Sequence, residues 1–135
     1  MVQFPPLVQI AAVGFGGAVG SVARFLCSFS CAQLFGTDFP WGTLVVNLFG
    51  SLWLGFIGGL AAEKPGLIDP VVRLLLTSGF AGGLTTFSTF TFETLALYQR
   101  GEFSIMWGNV IGNIVLGFGA AVIGIWLSRI NWGVQ

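Results

Sequence analysis

Histidine is missing from this chain, and charge is nearly so: five Lys or Arg and five Asp or Glu among 135 residues. The first absence removes imidazole from any metal site or general-base role. The second leaves a net charge of zero beside 55% hydrophobic residues and a mean hydropathy of +0.91. That balance excludes an ordinary soluble domain, and with no basic tract nothing points to nucleic acid as a partner. Cysteine is scarce too. Cys27 and Cys31 lie four apart on one expected helix face, a geometry that does not normally bridge, so packing is their expected role. The opening Met-Val-Gln-Phe-Pro-Pro has no Lys or Arg before its apolar run. It lacks the charged flank of a secretory signal, so that run is expected to remain as a mature span.

What the chain has in quantity is apolar runs, and about 20 such residues cross a bilayer core. Four spans are expected, at roughly Leu7 to Leu34, Trp41 to Ala62, Val71 to Tyr98 and Phe103 to Leu127. The connections carry turn chemistry: Gly36, Asp38 and Pro40, then Glu63 to Pro70 with two prolines, then Gln99 to Glu102. No repeat or low-complexity segment divides the chain, and residues 1–135 read as one all-α integral membrane domain. In the first span, Gly16-xxx-Gly20 and Gly17-xxx-Ser21 allow a neighbouring helix to approach closely. In the second, Asn47, Ser51, Gly55 and Gly58 form a small, polar face.

The stretch from Gly79 to Glu93 breaks the rules for a lipid-facing helix. Gly79, Gly82 and Gly83 invite the third span to open near its middle, at Gly82–Gly83, because glycine is a poor helix former. Thr85, Thr86, Ser88, Thr89 and Thr91 follow, with Phe87, Phe90 and Phe92 interleaved. Irregular backbone at membrane depth survives only when buried in protein or lining a wet cavity. The bland alternative is a glycine-softened helix whose hydroxyls bond back to their own carbonyls. Elsewhere, Asn47, Asn109 and Asn113 bring amides into hydrocarbon, where an unpaired one costs about 4–8 kcal/mol by apolar transfer. Interhelical bonding is the ordinary use of such residues. Arg24 and Glu93 are the charges most deeply placed within spans. Intramembrane charges are functional candidates by default, although a long Arg side chain can instead snorkel.

Amides and hydroxyls donate hydrogen bonds, and a phenyl ring offers an anion its positive edge. Phe87 and Phe90 are three apart and share a helix face. With no carboxylate ring for cations and no Lys or Arg ring for large anions, the inventory suits a small, hard anion.

Three stretches carry a resemblance over essentially the whole chain: Gly16 to Phe25 (GGAVGSVARF), Pro40 to Gly50 (PWGTLVVNLFG) and Gly79 to Phe90 (GFAGGLTTFSTF). The chain resembles the Fluc (CrcB) family of fluoride channels. The resemblance implies a passive, fluoride-selective channel in the cell's inner (plasma) membrane that lowers cytoplasmic fluoride and is not an enzyme. It implies pore roles for Phe87, Phe90 and Asn47, with the hydroxyls of Thr86, Ser88 and Thr89 in the same motif. A polar track on the fourth helix would include Asn109 and Asn113. It also implies a structural Na+ at the dimer centre, held by main-chain carbonyls of Gly82 and Thr85. Phe25 stands where tyrosine is common in the family. The competing class is a proton-coupled small-solute exporter of the small multidrug type, which needs a first-helix carboxylate. This first helix has none, so such coupling would rest on Glu93.

The expected assembly is a homodimer of oppositely inserted chains. Four spans are too few to enclose a pore, and the charge bias that sets orientation is slight. Lys64, Arg73 and Arg129 fall on the side of the termini; Arg100 falls on the other, with Arg24 lying toward it.

Overall fold

The computed structural model describes residues 4–130, so the uncharged flank at Met1 to Gln3 lies outside the described residues. Four helical spans run Leu7–Phe35, Trp41–Glu63, Pro70–Gln99 and Phe103–Ser128, each long and apolar enough to cross a membrane. Every boundary lies within a residue of the one expected from hydropathy. The first two spans are continuous and are named α1 and α2. The third divides into α3, residues 70–84, and α4, Phe87–Gln99. The fourth, Phe103–Ser128, is α5.

Local chemistry sets the ends. α1 follows Pro5 and Pro6 and stops at Gly36, whose φ of 79° is a left-handed value that favours glycine. α3 starts at Pro70 behind Asp69, whose carboxylate accepts from the amides of Val71 at 2.8 Å and Val72 at 3.3 Å. A cap of this kind is worth about 1 kcal/mol. On the same side of the molecule, Arg129 pairs with Glu63 at 2.9 Å and ties the end of α5 to the end of α2.

With lipid outside, helices gain little from hiding apolar surface, and close backbone contact takes over. α1 packs on α3 and α2 packs on the second half of α5. Glycine makes both crossings possible. A Cβ on Gly79 would lie 3.0 Å from the carbonyl oxygen of Val13 and 3.1 Å from the Cα of Gly16. Carbon added at Gly20 or Gly83 would overlap the carbonyls of Phe80 and Gly17 respectively. Between α2 and α5, Gly55 meets the carbonyl of Ala121 and Gly124 meets that of Leu52. Gly58 does not belong to this contact surface: it faces open space, and Gly59 meets Ser128 instead. The expected small face is thus rotated by one residue at its end. Cys27 and Cys31 are both free thiols.

Two stretches widen to the i→i+5 pattern, Leu75–Ala81 in α3 and Gly112–Leu116 in α5. Trp53 braces the first, its indole N–H donating to the carbonyl of Leu76 at 3.0 Å. Its ring stacks on Phe49 and meets the edge of Phe80.

The third span does break near its middle, but not at Gly82–Gly83. Gly82 is helical, with φ −64° and ψ −36°, and Gly83 lies inside the same turn against α1. The extended residues are Thr85 (φ −79°, ψ 158°) and Thr86 (φ −153°, ψ 117°). β-Branching favours extended backbone, and a threonine hydroxyl can cap the helix that follows. The glycines serve contact with α1, and the threonines make the break.

Candidate ion pathway

Thr86 is the residue from which the site is built. Its side chain is buried, and its hydroxyl oxygen accepts from the amide of Thr89 at 3.1 Å, capping α4. Its own backbone, turned out of the helix, is met by one side chain from α2. The amide of Thr86 donates to Asn47 Oδ1 at 2.8 Å, and Asn47 Nδ2 donates back to the carbonyl of Thr86 at 3.2 Å. One primary amide therefore replaces both partners that the break removes, as burial in a membrane demands. Gly50 gives the break room, since a Cβ there would overlap the Thr85 methyl.

A hydrogen-bonded series leads away from Asn47. Its Nδ2 also donates to Asn113 Oδ1 at 2.8 Å. Asn113 Nδ2 donates to Asn109, to Oδ1 at 2.9 Å and to the main-chain oxygen at 3.0 Å. Asn109 Nδ2 donates to Thr94 Oγ1 at 2.9 Å, and Thr94 donates to the carbonyl of Phe90 at 2.7 Å. The widened turn in α5 begins between the two asparagines, at Gly112.

Beside this series opens a cavity of about 280 Å³ whose lining includes Asn47, Ser51, Thr86, Phe87, Phe90 and Asn113. The two rings stand 5.8 Å apart and tilted by 52°. Phe87 is 79% exposed in the single chain, so its ring is free to meet an ion, a lipid or a second protein surface. The structure thus brings Asn47, Thr86, Phe87, Phe90 and Asn113 to one place. Asn109 is placed behind it, fully buried. Ser88 and Thr89 are exposed, and their hydroxyls lie 3.3 and 3.0 Å from that of Thr86. Thr85 and Thr91 follow the bland pattern, bonding back to Ala81 and Phe87.

Arg24 and Glu93 go to different places. Arg24 Nη1 donates to the carbonyl of Thr85 at 3.3 Å. Glu93 accepts from Thr43 at 2.9 Å, and its other oxygen is buried without a hydrogen-bond partner. It lines a separate cavity of about 250 Å³ near residues 36–43, together with Ser28, Phe39 and Arg100. Thr43 and Thr94 are the functional-looking residues that sequence reasoning passed over. Helical spacing held the signal, since Thr43 is one turn from Asn47 and Thr94 one turn from Phe90.

No cluster of three or more His, Cys, Asp or Glu occurs among the described residues, so a bound cation would need neutral oxygens. The break takes the helical partners of the carbonyls from Gly82 to Thr85, those of Gly82 and Thr85 among them. Thr86, whose amide would serve the carbonyl of Gly82, is taken by Asn47; Thr89, whose amide would serve that of Thr85, is taken by the Thr86 hydroxyl. These carbonyls fit a small hard cation, although Thr85 already accepts from Arg24. The site as a whole can donate hydrogen bonds to an anion beside aromatic edges, and it contains no nucleophile–base pair.

A family profile described as CrcB-like protein, Camphor Resistance (CrcB), matches residues 11–125. The chain is 44% identical to the fluoride-specific ion channel FluC of Nitrobacter winogradskyi, over 90% of this chain and 95% of the relative. It is 40% identical to that of Leptospira interrogans serovar copenhageni, over 87% and 91%. It is 43% identical to that of Opitutus terrae, over 87% of each.

Proposed function

The chain belongs to the CrcB-like family, and from that premise we propose that it is a fluoride-selective channel, not an enzyme. Fluoride leaves passively through it, across the cell's inner membrane, and cytoplasmic fluoride falls. The observation that carries this reading is the meeting of the Asn47 amide with the Phe87 and Phe90 rings at the break in the third span. A small anion that loses water there finds amide protons and ring edges in exchange. Both protons of Asn47 Nδ2 are already bonded, to Thr86 and Asn113, so the ion takes the place of a protein oxygen. Such an exchange keeps binding shallow, and an ion must leave as readily as it enters.

The working unit is a pair of chains inserted in opposite directions. Support comes from the open side of the cavity, since one chain leaves Phe87 and its surroundings uncovered. A Na+ at the centre of the pair would be held by the carbonyls of Gly82 and Thr85 from each chain. When bound it supplies positive potential near the anion paths and satisfies oxygens that the break has freed.

Fluoride efflux from liposomes holding the purified protein, with chloride as control, tests the channel. Fluoride-selective efflux that needs no proton gradient is expected. Efflux that stops without one would favour the coupled exporter, with Glu93 as its carboxylate. No fluoride efflux at all would overturn the channel.

A further inference from the structure

The polarity of the asparagine series is dictated from one end. The Thr86 amide can only donate and its carbonyl can only accept, so Asn47 must present Oδ1 to the first and Nδ2 to the second. Asn113 must then turn its oxygen toward Asn47, which leaves its nitrogen for Asn109. Asn109 must turn its oxygen toward Asn113, which leaves its nitrogen facing Thr94. There the series needs an acceptor that can pass the polarity on. A hydroxyl does this, accepting from Asn109 and donating to the carbonyl of Phe90.

We propose that Thr94, which lies outside the cavity beside Asn47 and lines a neighbouring one with Phe87 and Phe90, is a positioning residue for fluoride conduction: it terminates the asparagine series and so holds Asn109 and Asn113 in the orientation that the Thr86 backbone imposes on Asn47. The inference rests on the channel reading. Without the hydroxyl, Asn109 Nδ2 faces a dry site with nothing to accept it, since Asn109 is fully buried. The amide gains by flipping, and a flip at Asn109 sets donor against donor at its neighbour. Asn113 can follow only by turning its oxygen onto the Asn109 main-chain carbonyl, and Asn47 cannot follow at all, because the Thr86 backbone holds it. The conflict then falls on Asn113, which touches Asn47 beside the cavity. The second end of the series reaches the cavity as well: Thr94 donates to the backbone of Phe90, whose ring lines it.

Thr94→Val keeps the shape and removes the hydroxyl; Thr94→Ser keeps the hydroxyl. The side-chain amide resonances of Asn47, assigned with Asn47→Gln, are recorded for each in detergent. They shift in Thr94→Val and return in Thr94→Ser. This readout does not depend on conduction, so it stands even if the parent protein passes no fluoride, the result that would defeat the channel reading. In liposomes, fluoride efflux through Thr94→Val falls about tenfold, the scale of one buried unsatisfied donor. In an Asn113→Leu background, where the series is already cut, the same substitution has little further effect. Unmoved Asn47 resonances in a folded Thr94→Val protein, or equal losses of efflux in both backgrounds, would overturn the proposal.

Discussion

Asn47 shows how a residue can be visible in a sequence while its work is not. An amide within an apolar span, in a motif shared with a family, marked the position. Its double bond to the Thr86 backbone could not be read, because that bond depends on where the third span opens. The two uses of this side chain make a sharp prediction. Asn47→Asp keeps the acceptor for the Thr86 amide but loses the donor to its carbonyl and adds negative charge beside the proposed anion path. Fluoride efflux is expected to fall by more than about tenfold, since a charge at membrane depth costs about 2.5 kcal/mol or more. The rings separate more cleanly. Phe87→Ile or Phe90→Ile retains apolar bulk and removes the ring quadrupole, a difference of about 0.5–1.5 kcal/mol for each edge contact. Efflux assays should show losses of about three- to tenfold, with the protein still folded by circular dichroism. Parent-like efflux in all three variants would move the pathway away from this cavity.

Helix ends and spans were legible because hydropathy, proline and capping act locally, and each boundary was read to within a residue. The break was legible as an event and misread in position. Glycine marks both weak helix and tight contact, and only the neighbour decides which applies. Here α1 lies against Gly79 and Gly83, so the glycines are contacts and the opening passes to Thr85 and Thr86. Thermal unfolding in detergent can tell the two uses apart. Gly83→Ala places carbon against the Gly17 carbonyl and should cost about 1–3 kcal/mol, whereas Gly58→Ala enters open space and should be neutral or slightly stabilising. Thr86→Val should cost about 1 kcal/mol as a lost cap and should also depress efflux, because the same hydroxyl organises Ser88 and Thr89. An unaltered melting curve for Gly83→Ala would remove the close contact from the account.

For the whole molecule, the orientation of the chain follows from very little charge. Lys64, Arg73 and Arg129 face one side and Arg100 the other, while Glu63 and Glu102 pair with two of them. Site-specific labelling of Arg129→Cys in a background of Cys27→Ala and Cys31→Ala, from each face of the membrane, should find both orientations. A single orientation in all molecules would refute the opposed pair. The proposed Na+ predicts that replacing sodium by a large organic cation slows efflux or loosens the proposed pair, and unchanged behaviour under thorough removal would leave the cation without a role. The widened turns bear on a different property, the chain's tolerance to losing a residue. An α-helix turns about 100° per residue, so removing Val22 from α1 swings all that follows away from its partners. The turn at Leu75–Ala81 holds more residues than an ordinary one. Deleting Ser78 lets that turn tighten to the regular pattern while the helix on either side keeps its facing. Length, which elsewhere in these spans is fixed to the residue, has slack in two places.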